Sequence, residues 1–135
     1  MTIYAISTAP GTAGLAVIRM SGPRALEALN AIVRNKEFIH SKFTKCKFYH
    51  PVNHKHLDSG LAVYFKSPKS FTGEDVVELH IHGGYANTSI ILSALASIKY
   101  LRIANQGEFT KRAFINNKID LTGIEALGDL INSQT

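Results

Sequence analysis

The stretch Val76-Val77-Glu78-Leu79-His80-Ile81-His82-Gly83-Gly84 decides the fold of this chain. Beyond its first two residues, apolar and polar side chains alternate, which is the pattern of a β-strand with one face in a core. The glycine pair ends the strand and leads into the next element. Because side chains alternate across a strand, Glu78, His80 and His82 are predicted to share the face that does not enter the core.

Strands and helices are mixed on both sides of this segment. Further strands are predicted over residues 2–8, 15–20, 60–65 and 101–104, and the first two of these form a hairpin. Helices are predicted from the Ser21-Gly22-Pro23 start to Arg34, around the apolar stripe of residues 90–98, over residues 108–116, and from the capping box that begins at Thr122. The order lacks regular strand-helix alternation, so the predicted fold class is α+β, a mixed sheet with flanking helices.

Length and composition restrict the class of protein. A chain of 135 residues, 45% hydrophobic and 19% charged, is typical of one folded domain. The longest apolar runs, at residues 15–18 and 61–65, are too short to span a bilayer, and no basic segment precedes an apolar one at the N-terminus. We therefore expect a cytoplasmic protein without a membrane span. The single cysteine, Cys46, fits a reducing compartment.

The net charge of +5 is concentrated in one segment. Residues 34–56 contain six lysines and arginines against one acidic residue, together with four histidines and four phenylalanines or tyrosines, whereas the rest of the chain is balanced. Such a segment suits contact with nucleic-acid phosphates. It equally suits a solvated basic connection whose aromatic residues anchor it to the core. The sequence leaves both interpretations open.

The residues around the deciding strand allow several kinds of site. Glu78, His80 and His82 have a spacing compatible with a metal site, with recognition of a planar donor pair by the carboxylate, or with a merely polar sheet face. Arg19 lies near the end of an apolar strand, so we expect it to be paired or to face a ligand. A phosphate-binding Walker loop is excluded at residues 60–67, because Phe65 stands where the second glycine is required.

Three segments together resemble one family. They are GLAVIRMSGP at residues 14–23, SFTGEDVVELH at 70–80 and GEFTKRAFINNKIDL at 107–121. The sequence resembles the N-terminal domain of the MnmE family of tRNA modification GTPases, also called TrmE. The resemblance runs in order from about residue 2 to residue 129.

The resemblance implies a tetrahydrofolate-binding domain like those of aminomethyltransferases, forming one half of a two-fold dimer. Residues 1–121 would be this folate-binding and dimerisation domain, and residues 122–135 the start of a helical domain. Members of the family act with the flavoprotein MnmG to install a carboxymethylaminomethyl group at carbon 5 of the wobble uridine of tRNA. Their GTP, Mg and K belong to a GTPase domain that this sequence lacks, so the resemblance does not settle whether this chain alone is an enzyme.

The same resemblance implies folate contacts at Arg19, Glu78 and Lys118, with no catalytic and no metal-binding residue. A carboxylate such as Glu78 accepts two hydrogen bonds from the adjacent ring N–H and amino group of a pterin. Arg19 and Lys118 would contact the carbonyl or carboxylate oxygens of a ligand such as 5-formyl-tetrahydrofolate. Without the resemblance, Lys118 would be interpreted as a solvent-exposed lysine in a polar turn.

Two other functions stay open at this point. The chain is alternatively a non-enzymatic dimerisation or RNA-docking module with a decayed folate pocket, in which residues 34–56 form the working surface. A one-carbon transferase is the third possibility, but the sequence offers no nucleophile or metal set to support it.

Overall fold

A computed structural model of the protein describes residues 1–7 and 14–119, which form a six-stranded sheet and three helices. In chain order the elements are β1 (Thr2–Ile6), β2 (Leu15–Ser21), α1 (Ala25–Ile32), β3 (Thr44–Tyr49), β4 (His56–Phe65), β5 (Val76–His82), α2 (Tyr85–Ala96), β6 (Leu101–Ile103) and α3 (Glu108–Ile115). The strand order across the sheet is β3-β4-β5-β2-β1-β6. All neighbouring strands are antiparallel except β1 and β6, which are parallel.

This architecture confirms the predicted α+β class with a mixed sheet. The β5 strand has the predicted bounds, and β1 and β2 pair as the predicted hairpin. No helix of the described part of the chain is long and apolar enough to cross a membrane. The helix predicted from Thr122, and with it the predicted boundary between residues 121 and 122, lies outside the described residues.

The sequence analysis missed one strand. β3 lies inside the basic segment, where no strand was predicted, and β4 starts four residues earlier than expected. In β3 the buried Cys46 and Phe48 alternate with the exposed Lys45 and Lys47. Because β3 is at the edge of the sheet, lysines are accommodated on its outer positions. The number of charges in the segment hid a short alternating pattern.

The core lies between one face of the sheet and the helices α1 and α2. The pairing of β2 with β5 sets Ile18 opposite Leu79 and Met20 opposite Val77, and all four side chains are fully buried. Burying a side chain of this size stabilises the fold by roughly 1.5 to 3 kcal/mol. Since alternate residues point to opposite faces, the same pairing places Arg19 and Glu78 on the other face.

The helix α3 is tied to the sheet by a charged network. Glu108 accepts hydrogen bonds from Arg102 of β6, at 2.8 Å to Nη1, and from Arg112 Nη2, at 3.1 Å. Arg112 in turn donates to Glu74, at 3.0 Å, and to the Met1 carbonyl, at 2.7 Å. The hydrogen bond from Arg102, assisted by the backbone N–H of Asn105, lowers the pKa of Glu108 from 4.5 to about 2. The network is therefore fully formed at neutral pH.

We expect the stability of the protein to fall in acid through this carboxylate. A lowered pKa in the folded state means that the contribution is complete above about pH 4.5 and is lost as the pH falls toward 2. Glu108→Gln is expected to lower the free energy of unfolding by about 2 to 3 kcal/mol at pH 7, with the difference narrowing below pH 4. Urea unfolding of both proteins at several pH values measures this.

The matched control is Glu27→Gln, which removes a carboxylate from the exposed pair that Glu27 forms with Arg24. Its effect on stability should be small at every pH, because exposed pairs contribute little. An equal loss of stability in the two variants would show that α3 is not held by Glu108.

Candidate functional site

An ion pair occupies the centre of the sheet face that α1 and α2 leave uncovered. Arg19 of β2 and Glu78 of β5 are directly opposite each other in the strand register. The Nε and Nη2 atoms of Arg19 lie 3.3 and 3.2 Å from Oε2 of Glu78. The two side chains are 25% and 19% exposed, so the pair can be reached from solvent. The expectation that Arg19 has a partner is confirmed.

His80 completes the arrangement around the carboxylate. Its Nε2 atom lies 3.2 Å from Oε1 of Glu78, so both oxygens of Glu78 have a nitrogen neighbour within the protein. Each carboxylate oxygen accepts about two hydrogen bonds. Oε1 therefore has room for a further donor, whereas Oε2 already faces two N–H groups of Arg19. A planar donor pair that contacts both oxygens would have to displace one Arg19 bond, which would leave a guanidinium N–H free for the same ligand.

Aromatic rings flank this polar centre. The guanidinium carbon of Arg19 lies 5.2 Å from the ring centre of Phe71 and 5.8 Å from that of Phe109. On the other side, Phe43 meets the ring of His80 edge to face at 5.1 Å. Phe71 and Phe43 are each about half exposed. Exposed rings beside a carboxylate and a guanidinium offer apolar surface and directional polar contacts to a flat, polar heterocycle.

The loop that carries Phe71 is fixed by hydrogen bonds to β2 and to the end of α3. The hydroxyl of Ser21 lies 2.7 Å from that of the buried Thr72 and donates to Glu74 at 2.8 Å. Asn116, just after α3, donates from Nδ2 to the Thr72 carbonyl at 2.8 Å. The loop between β4 and β5 is thus joined both to β2 and to the end of α3, and it holds Phe71 over Arg19.

Lys118 lies next to the loop between β4 and β5. It is exposed beyond the end of α3, and its backbone N–H donates to the Ala113 carbonyl at 2.8 Å. Its side chain lies beside Gly73: a Cβ atom added to that glycine would be 3.5 Å from Cγ of Lys118 and 2.8 Å from Cβ of Asn116. Gly73 also has a φ of +81°, which disfavours other residues. The structure therefore brings Lys118 to the same loop as Phe71, and its role in binding stays a prediction.

His82 does not join the Glu78 cluster. At the end of β5 its Nδ1 lies 2.8 Å from Oδ1 of Asp58, and Asn87 of α2 donates to Oδ2 of the same carboxylate at 2.9 Å. These hydrogen bonds outweigh the cost of burial and lower the pKa of Asp58. Within residues 1–7 and 14–119 no group of three or more histidine, cysteine or acidic residues is arranged to hold a metal ion. The arrangement thus gives no support to the metal interpretation of Glu78, His80 and His82.

Sequence reasoning found the polar centre but missed its surroundings. The contacts of Phe43 with His80 and of Asp58 with His82 join residues 37 and 24 positions apart, respectively. Phe71 lies in the SFTGEDVVELH segment and Phe43 in the basic segment, and neither residue has a local pattern that predicts a binding role. No local pattern relates these residues, because strand order alone brings them together.

The chain is similar to one described family and to several known proteins. Residues 2–118 match the family described as "GTP-binding protein TrmE N-terminus". The chain is 54% identical over 134 residues to the tRNA modification GTPase MnmE of Parvibaculum lavamentivorans. It is 48% identical to the protein of the same name from Rickettsia rickettsii strain Sheila Smith and 47% identical to that from Rickettsia prowazekii.

These alignments cover 99% of the chain but only 30% to 31% of each relative. The chain therefore spans about a third of the length of the curated relatives that it matches.

Proposed function

This chain belongs to the TrmE N-terminal family, and from that premise we propose that it binds a reduced folate, such as 5-formyl-tetrahydrofolate, for a tRNA modification GTPase. In the whole protein, this domain would hold the one-carbon donor in a cytoplasmic reaction. That reaction, carried out with the flavoprotein MnmG, installs a carboxymethylaminomethyl group at carbon 5 of the wobble uridine. GTP, Mg and K would act in the part of the protein that lies beyond this chain.

The observation that carries the proposal is the Glu78 carboxylate on the open face of the sheet, whose neighbours His80 and Arg19 contact the exposed rings of Phe43 and Phe71, respectively. A pterin presents an N–H and an amino group side by side, and these match the two oxygens of a carboxylate. The aromatic rings supply apolar area for the flat pterin. The proposal rests on chemical complementarity: the N–H and amino groups of the pterin suit the carboxylate of Glu78, and its flat ring suits the aromatic side chains.

Arg19 and Lys118 would bind the oxygen atoms of the ligand. Arg19 already donates two hydrogen bonds to Oε2 of Glu78. A ligand that replaces one of them leaves an N–H group of Arg19 free to donate to a carbonyl oxygen of the ligand. Lys118 extends from the exposed turn beside Gly73, where a flexible cation suits the carboxylate tail of a folate. The folate supplies the one-carbon unit when bound, and these side chains hold it in place.

We further propose that the chain forms a homodimer through α2. None of the twelve residues of this helix is charged, although Tyr85 is 70% and Ile90 48% exposed. Ala86, Ser89, Ser93 and Ala96 are exposed as well. A solvent-facing helix normally carries charged residues on its outer face. An uncharged outer surface of small residues, with Ile90 protruding, suits close packing against the same surface of a second copy.

Calorimetric titration with 5-formyl-tetrahydrofolate tests the folate site. We expect one ligand per wild-type chain, and a weakening of about 10- to 100-fold in Glu78→Gln, since a charge-assisted hydrogen bond contributes roughly 1.5 to 3 kcal/mol. The control Glu27→Gln changes an acidic residue of α1, beneath the opposite face of the sheet, and should bind as the wild type does. Equal affinity of Glu78→Gln and wild type for 5-formyl-tetrahydrofolate would show that Glu78 does not contact the ligand.

Light scattering tests the dimer. The wild-type chain should have twice the mass of one 14.8 kDa chain, and Ile90→Glu should shift it to the monomer, because two carboxylates would be buried at the interface. Ile39→Glu is the matched control, as Ile39 is 61% exposed in the segment between α1 and β3. A monomeric wild type, or a dimer that survives Ile90→Glu, would contradict the proposed interface.

A further inference from the structure

A group of cations lines a groove at the free edge of the sheet. The groove lies along β3, has a volume of about 420 Å³, and is lined by Arg34, Lys36, Lys45, Lys47, Tyr49, Cys46 and Ser59. In the described part of the chain, none of the ion pairs involves one of its four cationic residues. The groove thus holds four positive charges whose mutual repulsion a bound polyanion would relieve.

One of the cations is held in place by the fold. The guanidinium of Arg34 lies 3.9 Å from the ring centre of Tyr49, and its Nη2 donates to the His54 carbonyl at 3.2 Å. Stacking on the ring leaves the remaining N–H groups of Arg34 available to an outside acceptor. Lys45 and Lys47, which also line the groove, are exposed two residues apart on β3, about 7 Å along the strand. These two lysines are thus spaced along the strand instead of converging on one point.

We propose that this groove, which we call the β3 groove, binds the phosphodiester backbone of RNA. A single small anion would contact only some of the four cations, whereas a chain of phosphates meets successive cations. Lys42 and Lys55, both exposed, continue the positive charge beyond its ends. The nucleic-acid interpretation of the basic segment is favoured over a plain solvated connection, since the segment contains a regular strand with ordered cations on its outer positions.

An acidic peptide that adds a strand to the edge is the competing partner. Within the described residues β3 is an edge strand, to which such a peptide would pair, but lysines on an edge strand oppose strand addition. RNA needs only the side chains, which the groove presents. The proposal does not depend on folate binding, because the β3 groove is built from residues outside the Arg19–Glu78 site, and a failed folate titration would leave it unaffected.

The test is fluorescence anisotropy of a labelled, unmodified tRNA transcript with the 135-residue chain, between 50 and 200 mM salt. Four phosphate contacts predict that the logarithm of affinity falls with the logarithm of salt concentration with a slope of about −3. Lys45→Gln/Lys47→Gln should reduce the steepness of that slope by about 2 and weaken binding at least 10-fold at 100 mM salt.

The matched control is Lys99→Gln/Lys111→Gln, which removes the same charge from two exposed lysines outside the groove and should bind as the wild type does. Lys36→Gln gives a second variant in case the strand variant is unstable, and it should also weaken binding. Tripolyphosphate and poly-glutamate serve as competitors. Equal binding by the groove variants and wild type would overturn the proposal, and so would displacement of the RNA by either competitor at an equal concentration of charge.

Discussion

The register between β2 and β5 is the constraint on which the rest of the structure depends. Seven residue pairs join these two central strands, and they place Ile18 and Leu79 together under the helices. A slip of one residue would turn Leu79 toward solvent and Glu78 into the core. The apolar burial of Leu79 would be lost, and the Glu78 carboxylate would be buried without a partner. The apolar core therefore fixes the register, and the register fixes Arg19 opposite Glu78. No further interaction is needed to align Arg19 with Glu78 in the candidate site.

The remaining parts of the site lie outside the two central strands. The loop between β4 and β5 is hydrogen-bonded to Ser21 at the end of β2 and to Asn116, so Phe71 and the segment around Lys118 share one support. The charged network of Glu108 fastens α3 to the same region. The four cations of the β3 groove lie elsewhere, at the β3 edge of the sheet. The proposed site for a planar ligand and the proposed RNA groove are thus built from different residues.

The sequence predicted those features that depend on short-range pattern. The alternation of apolar and polar residues predicted the bounds of β5. The position of Arg19 near the end of an apolar strand predicted that it has a partner. The strand β3 was not predicted, because the charge of the basic segment masks the alternation of its lysines with Cys46 and Phe48. Contacts such as Phe43 with His80 follow from the strand order across the sheet. No single stretch of sequence contains that information.

The central claim is that the open face around Glu78 binds a folate, and amide NMR spectra of the chain during titration with 5-formyl-tetrahydrofolate test it most directly. We predict that the shifts concentrate on the residues around Arg19 and Glu78, on the loop that carries Phe71, on Phe43 and on residues 116–118. The amides of α1, beneath the opposite face of the sheet, should be nearly unaffected. Shifts centred on α1 or β3, or unchanged spectra at a large excess of ligand, would contradict the account.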